Sequence, residues 1–210
     1  MKHEWKKHEK ELYGVTTKPQ VLQIPKQKFI TIKGAGDPNE AAFSDRVGVL
    51  YSLAFPIKMA FKRLAVNSKK QNGQFSYTDY TVYPLEGLWT TTNPDNLLDK
   101  SSFQYTLMIR QSDYVTEELF QETLAAVKKK KPHLLLDEIK FETIEEGLCI
   151  QALHKGSFDD EPATFAKMAQ FAQSQNLQRS HYDHREIYLN DARKNLPEKR
   201  KTILRFQVEE

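Results

Sequence analysis

A short run at residues 184–189, HREIYL, holds the residues of this chain that are best placed to do chemistry. Its β-branched and aromatic side chains favour a strand, and strand alternation places His184, Glu186 and Tyr188 on one face. The apolar side chains of the other face require a core, so Glu186 points into bulk water or into a cavity. We expect a cavity. A carboxylate there binds a cationic aromatic ligand, or takes a proton from water as a general base.

Aromatic residues elsewhere in the chain are candidates for the walls of that cavity. Tyr188 shares the face of Glu186, and Tyr83 ends another predicted strand, so either hydroxyl is a candidate donor to a charged substrate oxygen. Trp89 lies in a predicted loop, where it is either a wall of the cavity or a plug over the core. The predicted ligand-binding set is completed by Phe55, Met108 and His184. Phe55 belongs to a helical pattern that also suits the core.

Other kinds of reactive site find little support in the sequence. A metal site is suggested by His181, Asp183 and His184. However, their spacing does not supply a third well-spaced ligand and His154 is only an outside candidate, so we expect no metal and no cofactor. The Gly-Ala-Gly run before the first long helix lacks the third glycine of a dinucleotide-binding loop, and there is no nucleophile elbow. Cys149, the only cysteine, lies in an apolar run that predicts a buried thiol.

Composition excludes several classes of protein. The chain has 210 residues, of which 39% are apolar and 28% charged, enough for a sizeable core and too polar for a membrane protein. The N-terminus is charged where a signal peptide is apolar, so we expect a cytoplasmic protein. The net charge is only +3, and the lysine run at 128–131 fits a helix end better than a nucleic-acid surface. We expect no direct contact with nucleic acid or membrane, and nothing supports a protein partner.

Hydrophobic patterns predict strands that alternate with helices. Residues 1–20 form an arm or short helix that packs loosely on the body. Asp37 caps a helix that Pro56 kinks or splits, and Thr116 caps another that Pro132 ends. A further helix covers residues 162–175, and strands are predicted at 21–24, 28–32, 77–83, 103–109, 139–144, 148–154, 184–189 and 202–208, with hairpin turns at 25–26 and 145–147.

These elements occur twice in the same order. Each half of the chain has a hairpin, a glycine-containing break, a helix that starts with an acid and a proline, a strand, a loop and a strand. The correspondences are 34–38 with 156–162, 81–83 with 186–188, and 107–109 with 204–206. We therefore predict an α+β fold of two pseudo-twofold-related β-α-β-β modules, at 21–112 and 133–210, joined by a helix at 114–131, with antiparallel sheets and a ligand cleft between them.

Three runs in the second half also carry a family resemblance: DEPATF at 160–165, HREIYLND at 184–191 and PEKRKTILR at 197–205. They are similar to the C-terminal signature of the GyrI-like small-molecule-binding proteins, and YPLEGLW at 83–89 fits a stand-alone subgroup. The resemblance extends from about residue 28 to the C-terminus. It implies two β-α-β-β modules around a cleft, with a glutamate near the centre that is Glu186 in this chain.

The stand-alone subgroup is associated with hydrolysis of the cyclopropane ring of DNA-alkylating compounds inside an aromatic cage. The resemblance therefore implies detoxification of a bulky aromatic xenobiotic, with Glu186 and Tyr188 as catalytic residues. If Glu186 is not the base, Glu86 or Glu161 is the next candidate. Three alternatives stay open: a protein that sequesters drugs without turnover, a sensor of the transcriptional-effector type, and an interaction module for a partner such as gyrase.

Overall fold

The computed structural model of the chain describes residues 1–69, 75–96 and 99–210. It combines helices with a large antiparallel sheet, as the α+β prediction requires. The strands are β1 (Lys2–His3), β2 (Gln20–Ile24), β3 (Gln27–Ala35), β4 (Asp79–Tyr80), β5 (Leu85–Thr91), β6 (Phe103–Arg110), β7 (Lys140–Ile144), β8 (Gly147–Lys155), β9 (Gln178–Arg179), β10 (His184–Tyr188) and β11 (Lys201–Glu209). The helices are α1 (Trp5–His8), α2 (Lys10–Tyr13), α3 (Ala41–Lys69), α4 (Glu117–Lys130) and α5 (Glu161–Ser174). Over the described ranges, no helix has the length and apolar character needed to span a bilayer.

Within the described residues, nine strands form one curled antiparallel sheet, in the order β2-β8-β11-β10-β5-β6-β3-β7, with β9 paired to β11. The α+β antiparallel fold is thus confirmed. The two predicted half-sheets are not separate, because β10 pairs with β5 and joins the two halves of the chain. The pseudo-twofold relation and the module boundaries stay predictions.

Both predicted hairpins are wrong. β2 pairs with β8 rather than with β3, and β7 pairs with β3 rather than with β8. Each half of the chain therefore contributes one strand to the other half of the sheet. A turn signal predicts a reversal of the chain, but the packing of the whole sheet decides which strand becomes the neighbour.

The strand predicted at 77–83 is also wrong over most of its length. Only β4 forms there, in a parallel pair with β1, and residues 81–83 are not in a strand. One of the two neighbours of β10 is β5, so a strand forms where the sequence predicts a loop around Gly87 and Trp89. The proposed correspondence between 81–83 and 186–188 fails for the same reason.

A row of paired residues across the sheet shows where the helices pack. Ile32, Leu107, Gly87, Glu186 and Leu204 are successive partners in neighbouring strands, so their side chains share one face. The Ile32 end of the row lies in the core that α3 covers, and the Leu204 end lies in the core that α5 covers. The middle of the row, at β5 and β10, lies between the two helices.

The long helix differs from its prediction at both the start and the proline. α3 begins at Ala41, after a turn in which the Asp37 carboxylate accepts a hydrogen bond from the Asn39 backbone N–H at 2.9 Å. Asp37 therefore stabilises the turn before the helix rather than capping it. The helix is not split, since it runs through Pro56 without interruption. The predicted cap of α4 is confirmed, because the Thr116 hydroxyl accepts from the Leu119 N–H at 3.3 Å.

The N-terminal segment packs tightly, contrary to the expected loose arm. Trp5 and Tyr13 are buried, and the Trp5 indole donates to the Val82 carbonyl at 3.0 Å. The Glu9 carboxylate forms an ion pair with buried Arg110. A buried arginine needs such a partner, so this segment completes the fold.

The face of the sheet away from α3 and α5 holds a buried ionic cluster. Arg185 donates to the Glu86 carboxylate at 3.1 Å and lies 3.0 Å from a Glu146 oxygen. Arg205 donates to the other Glu146 oxygen at 2.7 Å. These four side chains connect β5, β10, β11 and the turn before β8. They hold β10 in place from the face of the sheet opposite Glu186.

Candidate functional site

An open cleft of about 1890 Å³ lies between α3, α5 and the centre of the sheet. Its floor is the part of β5 and β10 that neither helix core covers, where Gly87 and Glu186 are paired. Apolar side chains from both helices form the two walls, among them Phe43, Tyr51 and Phe55 of α3 and Phe165 and Ala169 of α5. The cleft is lined largely by apolar side chains and its volume is large enough for a polycyclic ligand, with an acid at its base.

Glu186 is the most connected polar residue on the floor. It is 8% exposed, and its carboxylate lies 3.1 Å from the His184 Nε2. The Tyr188 hydroxyl also forms a hydrogen bond with it. Burial and the charge of Glu186 raise the pKa of Tyr188 well above its usual range, so the hydroxyl keeps its proton and donates it to the carboxylate.

Trp89 forms the floor beside this pair. Its indole Nε1 donates to the Tyr188 hydroxyl at 3.0 Å, and its ring stacks on Phe43 with 5.8 Å between centroids. A Cβ on Gly87 would lie 2.4 Å from the Trp89 Nε1, so only glycine leaves room for the indole in this position. A chain of hydrogen bonds therefore runs from Trp89 through Tyr188 to Glu186 and orients the carboxylate.

A second acid, Glu161, meets Glu186 from the other side of the cleft. It is the first residue of α5, is 6% exposed, and has a carboxyl group within hydrogen-bonding reach of the Glu186 carboxyl group. Its Oε1 is buried with no hydrogen-bond partner in the described part of the chain. Burial and the neighbouring charge of Glu186 raise the pKa of Glu161 well above its usual value.

Glu161, His184 and Glu186 are also the one group of potential metal donors found in residues 1–69, 75–96 and 99–210. Their donor atoms lie within 4.8 Å of one another. Donors bound tetrahedrally to zinc at about 2.0 Å lie about 3.3 Å apart, and three ligand atoms held only within 4.8 Å of one another do not by themselves define such a site. We assign them no metal.

The structure brings most of the predicted site residues together. Glu186, Tyr188, Trp89 and His184 line the floor of the cleft. Trp89 lies on a strand rather than in a loop. Phe55 is 55% exposed on the wall of the cleft, so the alternative of a core position for it is wrong.

Tyr83 lines the cleft, but its hydroxyl has a different partner from the one expected. It donates to the Glu9 carboxylate at 2.7 Å, and the Arg110 guanidinium lies over its ring at 4.7 Å. Its hydroxyl is therefore bound to the N-terminal segment and is not free to donate to a substrate.

Met108 does not line the cleft, which corrects its predicted role. It pairs with Glu86 on the opposite face of the sheet, and its sulfur lies 2.8 Å from the Arg185 guanidinium. Strand alternation turns Met108 away from the helices and directs its neighbour Leu107 toward them. Glu86 is on the far face as well, so it is excluded as a substitute base.

The sequence did not identify every residue of the cleft. Phe43 and Phe165 were assigned to core-facing stripes, and Glu161 was considered only as a substitute for Glu186. The one local signal for Glu161 was its place beside Pro162, which marks a helix start and gives no indication of burial. The proximity of Glu161 to Glu186 depends on how α5 packs against the sheet.

Comparison with known proteins agrees with this geometry. Residues 17–209 match the GyrI-like small molecule binding domain. An uncharacterized conserved protein from Listeria innocua is 36% identical, with a TM-score of 0.85 over 99% of this chain and 100% of its own. A hydrolase from Listeria innocua is 35% identical, with a TM-score of 0.86 over the full length of both chains.

A more distant structure shares the fold only. The EcmrR C-terminal domain is 12% identical, with a TM-score of 0.54 over 92% of this chain and 98% of its own. Comparison with curated proteins gives no significant match. The coverage of the family match and the identity to the two Listeria proteins decide the assignment: the chain belongs to the family of GyrI-like small molecule binding domains.

Proposed function

We propose that the protein binds a bulky, flat, hydrophobic xenobiotic in this cleft and detoxifies it by hydrolysing an electrophilic cyclopropane ring. The observation that carries the proposal is the position of Glu186, a carboxylate oriented by two hydrogen-bonding neighbours on the floor of an aromatic cleft. The likeness to two Listeria innocua proteins described as hydrolases, 34% and 35% identical, supports hydrolysis. A cytoplasmic location stays a prediction.

The aromatic walls hold the substrate. Flat rings stacked on Trp89 or against Phe43 and Phe165 gain about 0.5 to 1.5 kcal/mol each beyond their area burial. This contact fixes the plane of the ligand across the floor, so that one ring carbon faces Glu186. Positioning of this kind lowers the barrier because the reacting atoms no longer need to find each other in solution.

Glu186 then acts on water. Its carboxylate accepts a proton from a water molecule as the water oxygen bonds to the ring carbon. The strained carbon–carbon bond breaks, and its electron pair passes into the rest of the substrate, which takes up a proton so that one water is added in total. Tyr188 holds the carboxylate in place through its hydroxyl. Ring strain supplies much of the driving force, and a base held on a rigid floor activates the attacking water.

Binding without turnover is the rival function, because the family is described as one of small molecule binding domains. Incubation of the protein with a large excess of a cyclopropane-containing alkylator, followed by mass spectrometry, separates the two. We expect many equivalents of ring-opened product per protein chain, and far fewer from the Glu186→Gln variant. Retention of about one intact equivalent per chain, with no product above the buffer control, would establish the binder.

A further inference from the structure

We infer that Glu161 and Glu186 work as a pair that shares one proton, with Glu161 as the acid that protonates the oxygen of the opening substrate. This inference rests on the proposed function and adds a second catalytic residue to it. The step requires a strained ring conjugated to a carbonyl, because the conjugation carries the electron pair of the broken carbon–carbon bond onto an oxygen that Glu161 can protonate.

The geometry of the two carboxyl groups indicates the shared proton. A carboxylate oxygen of each lies within 4.8 Å of the other, close enough for the two groups to interact, and both side chains are almost fully buried. Two carboxylates repel each other and neither can donate, whereas one protonated carboxyl donates to the other. The Glu161 Oε1 is buried and has no partner among the described residues, so this carboxyl group has an oxygen available to carry the proton.

Other charges around the pair do not remove the need for this proton. On β10, His184 and Tyr188 both contact Glu186 rather than Glu161. Asp159 adds a further negative charge near Glu161, although Lys100 pairs with it at 3.2 Å. Arg179 and Arg200, two further charged residues that line the cleft, lie over the rings of Phe165 and Phe158.

The division of roles follows from the contacts of each acid. Glu186 accepts a hydrogen bond from Tyr188 and, when Nε2 carries a proton, from His184, so its carboxylate is oriented as an acceptor. Among the described residues no donor reaches the Glu161 Oε1, and the side chain is as deeply buried as that of Glu186, so the proton resides on Glu161. Glu186 is the base, and Glu161 is the acid.

The pair also explains how the site returns to its starting state. A water oxygen bonds to the ring carbon while Glu186 takes a water proton. The ring bond breaks, its electron pair moves through the conjugated system onto the carbonyl oxygen, and Glu161 gives its proton to that oxygen. Glu186 is then protonated and Glu161 ionised. Transfer of the proton from Glu186 to Glu161 across their hydrogen bond restores both, with one water consumed in total.

The kinetic test uses Glu161→Gln, which keeps the shape of the side chain, and a cyclopropane alkylator whose ring is conjugated to a carbonyl. We expect kcat/KM to fall roughly 10²- to 10⁴-fold, the range typical of a lost acid or base. In the parent protein, kcat/KM should decline as pH rises through the elevated pKa of Glu161, and this decline should disappear in the variant. Glu117→Gln, which removes an exposed acid from the first turn of α4, controls for the charge lost at a helix start.

Two measurements test the shared proton without turnover. Infrared difference spectra at neutral pH should show a protonated carboxyl band that Glu161→Gln removes. In the folded state Glu161 holds its proton, whereas in the unfolded chain it releases the proton above its ordinary pKa near 4.5. The free energy of unfolding of the parent should therefore fall as pH rises from about 4.5 through the raised pKa of Glu161. As pH rises, the melting temperature of Glu161→Gln should therefore increase relative to that of the parent, whereas the melting temperature of Glu117→Gln should not.

The outcomes separate this inference from the function it rests on. If the parent hydrolyses the alkylator and Glu161→Gln matches it in rate and pH profile, the pair is wrong and the hydrolase stands. If the parent gives no turnover, both the proposed hydrolysis and the role of Glu161 as its acid are wrong. The infrared band then decides whether the two carboxyl groups share a proton. Stoichiometric binding of Zn²⁺ that both Glu161→Gln and Glu186→Gln abolish would overturn the inference, since the site would then hold a metal in place of the proton.

Discussion

The role of Glu186 depends on its neighbours more than on its type. Many strand glutamates face water, but this one is nearly buried beside Tyr188, His184 and Glu161. Each neighbour has a separate effect. Tyr188 orients the Glu186 carboxylate, and the His184 imidazole lies close enough to form an ion pair with it. Glu161 is a second acid that interacts with the same carboxylate. A general base needs this combination of fixed position and restricted solvent.

At this scale we predict the effect of Glu186→Gln. The amide keeps the size of the side chain but cannot accept a proton from water, so kcat/KM should fall roughly 10²- to 10⁴-fold. Calorimetry with the ring-opened product should show affinity within about 3-fold of the parent, because most of the contact is with apolar walls. Glu122→Gln, on the exposed face of α4, is the matched control. Full turnover in Glu186→Gln would leave Glu161 as the remaining acid on the floor.

Among the elements, β5 determines the shape of the floor. It pairs with β10 in a register that sets Gly87 against Glu186 and Trp89 against His184. The missing side chain at Gly87 leaves the space that the indole occupies beside Glu186. A strand with a glycine at its centre is weak by itself, so this floor depends on pairing with β10 and β6 on either side.

We therefore predict that Gly87→Ala reduces ligand affinity. The new methyl group would meet the Trp89 Nε1, displace the indole and break its hydrogen bond to Tyr188. Loss of one stacking contact corresponds to about a 3- to 10-fold weaker Kd for the ring-opened product, measured by calorimetry. Gly48→Ala is the control, since Gly48 also lines the cleft and a Cβ there meets open space. Equal affinities for both variants and the parent would show that the indole position is not required.

For the whole molecule, the two halves of the chain are joined across β5 and β10 by more than backbone pairing. On the face away from the cleft, Arg185 binds both Glu86 and Glu146, so acids from both halves share one guanidinium. All three side chains are almost fully buried, so each charge depends on the others. This cluster holds β10 in place between the two halves of the sheet. It therefore supports the floor of the cleft from the opposite face of the sheet.

We predict that Arg185→Met lowers the free energy of unfolding by about 3 to 5 kcal/mol. The variant keeps much of the volume but leaves Glu86 and Glu146 short of a buried partner, which costs far more than an exposed pair. Arg193→Met is the comparison, because Arg193 is mostly exposed in its 3.0 Å pair with Asp191 and should cost about 1 kcal/mol or less. Urea denaturation of both variants measures the difference. Similar values for the two would mean that the cluster contributes little to stability.

Local features of the structure could be predicted from the sequence, whereas the pairing of distant strands could not. Strand alternation at 184–189 identified the cleft-facing side of Glu186 and Tyr188, and a Ser/Thr-type cap identified the start of α4. The hairpins failed because turn residues specify a reversal but not a partner. β5 was missed because its pairing with β10 and β6 outweighs the weak strand preference of its glycine and interrupted pattern.

The sequence by itself determined the α+β class, the face of Glu186 and the family resemblance, because periodicity and short motifs are local properties of the chain. Only the tertiary structure decided that Trp89 lies over Gly87, that Met108 and Glu86 face away from the cleft, and that Glu161 meets Glu186. These contacts join residues far apart in the chain. They arise from the register of one continuous sheet and the packing of α5 on it, which no local pattern encodes.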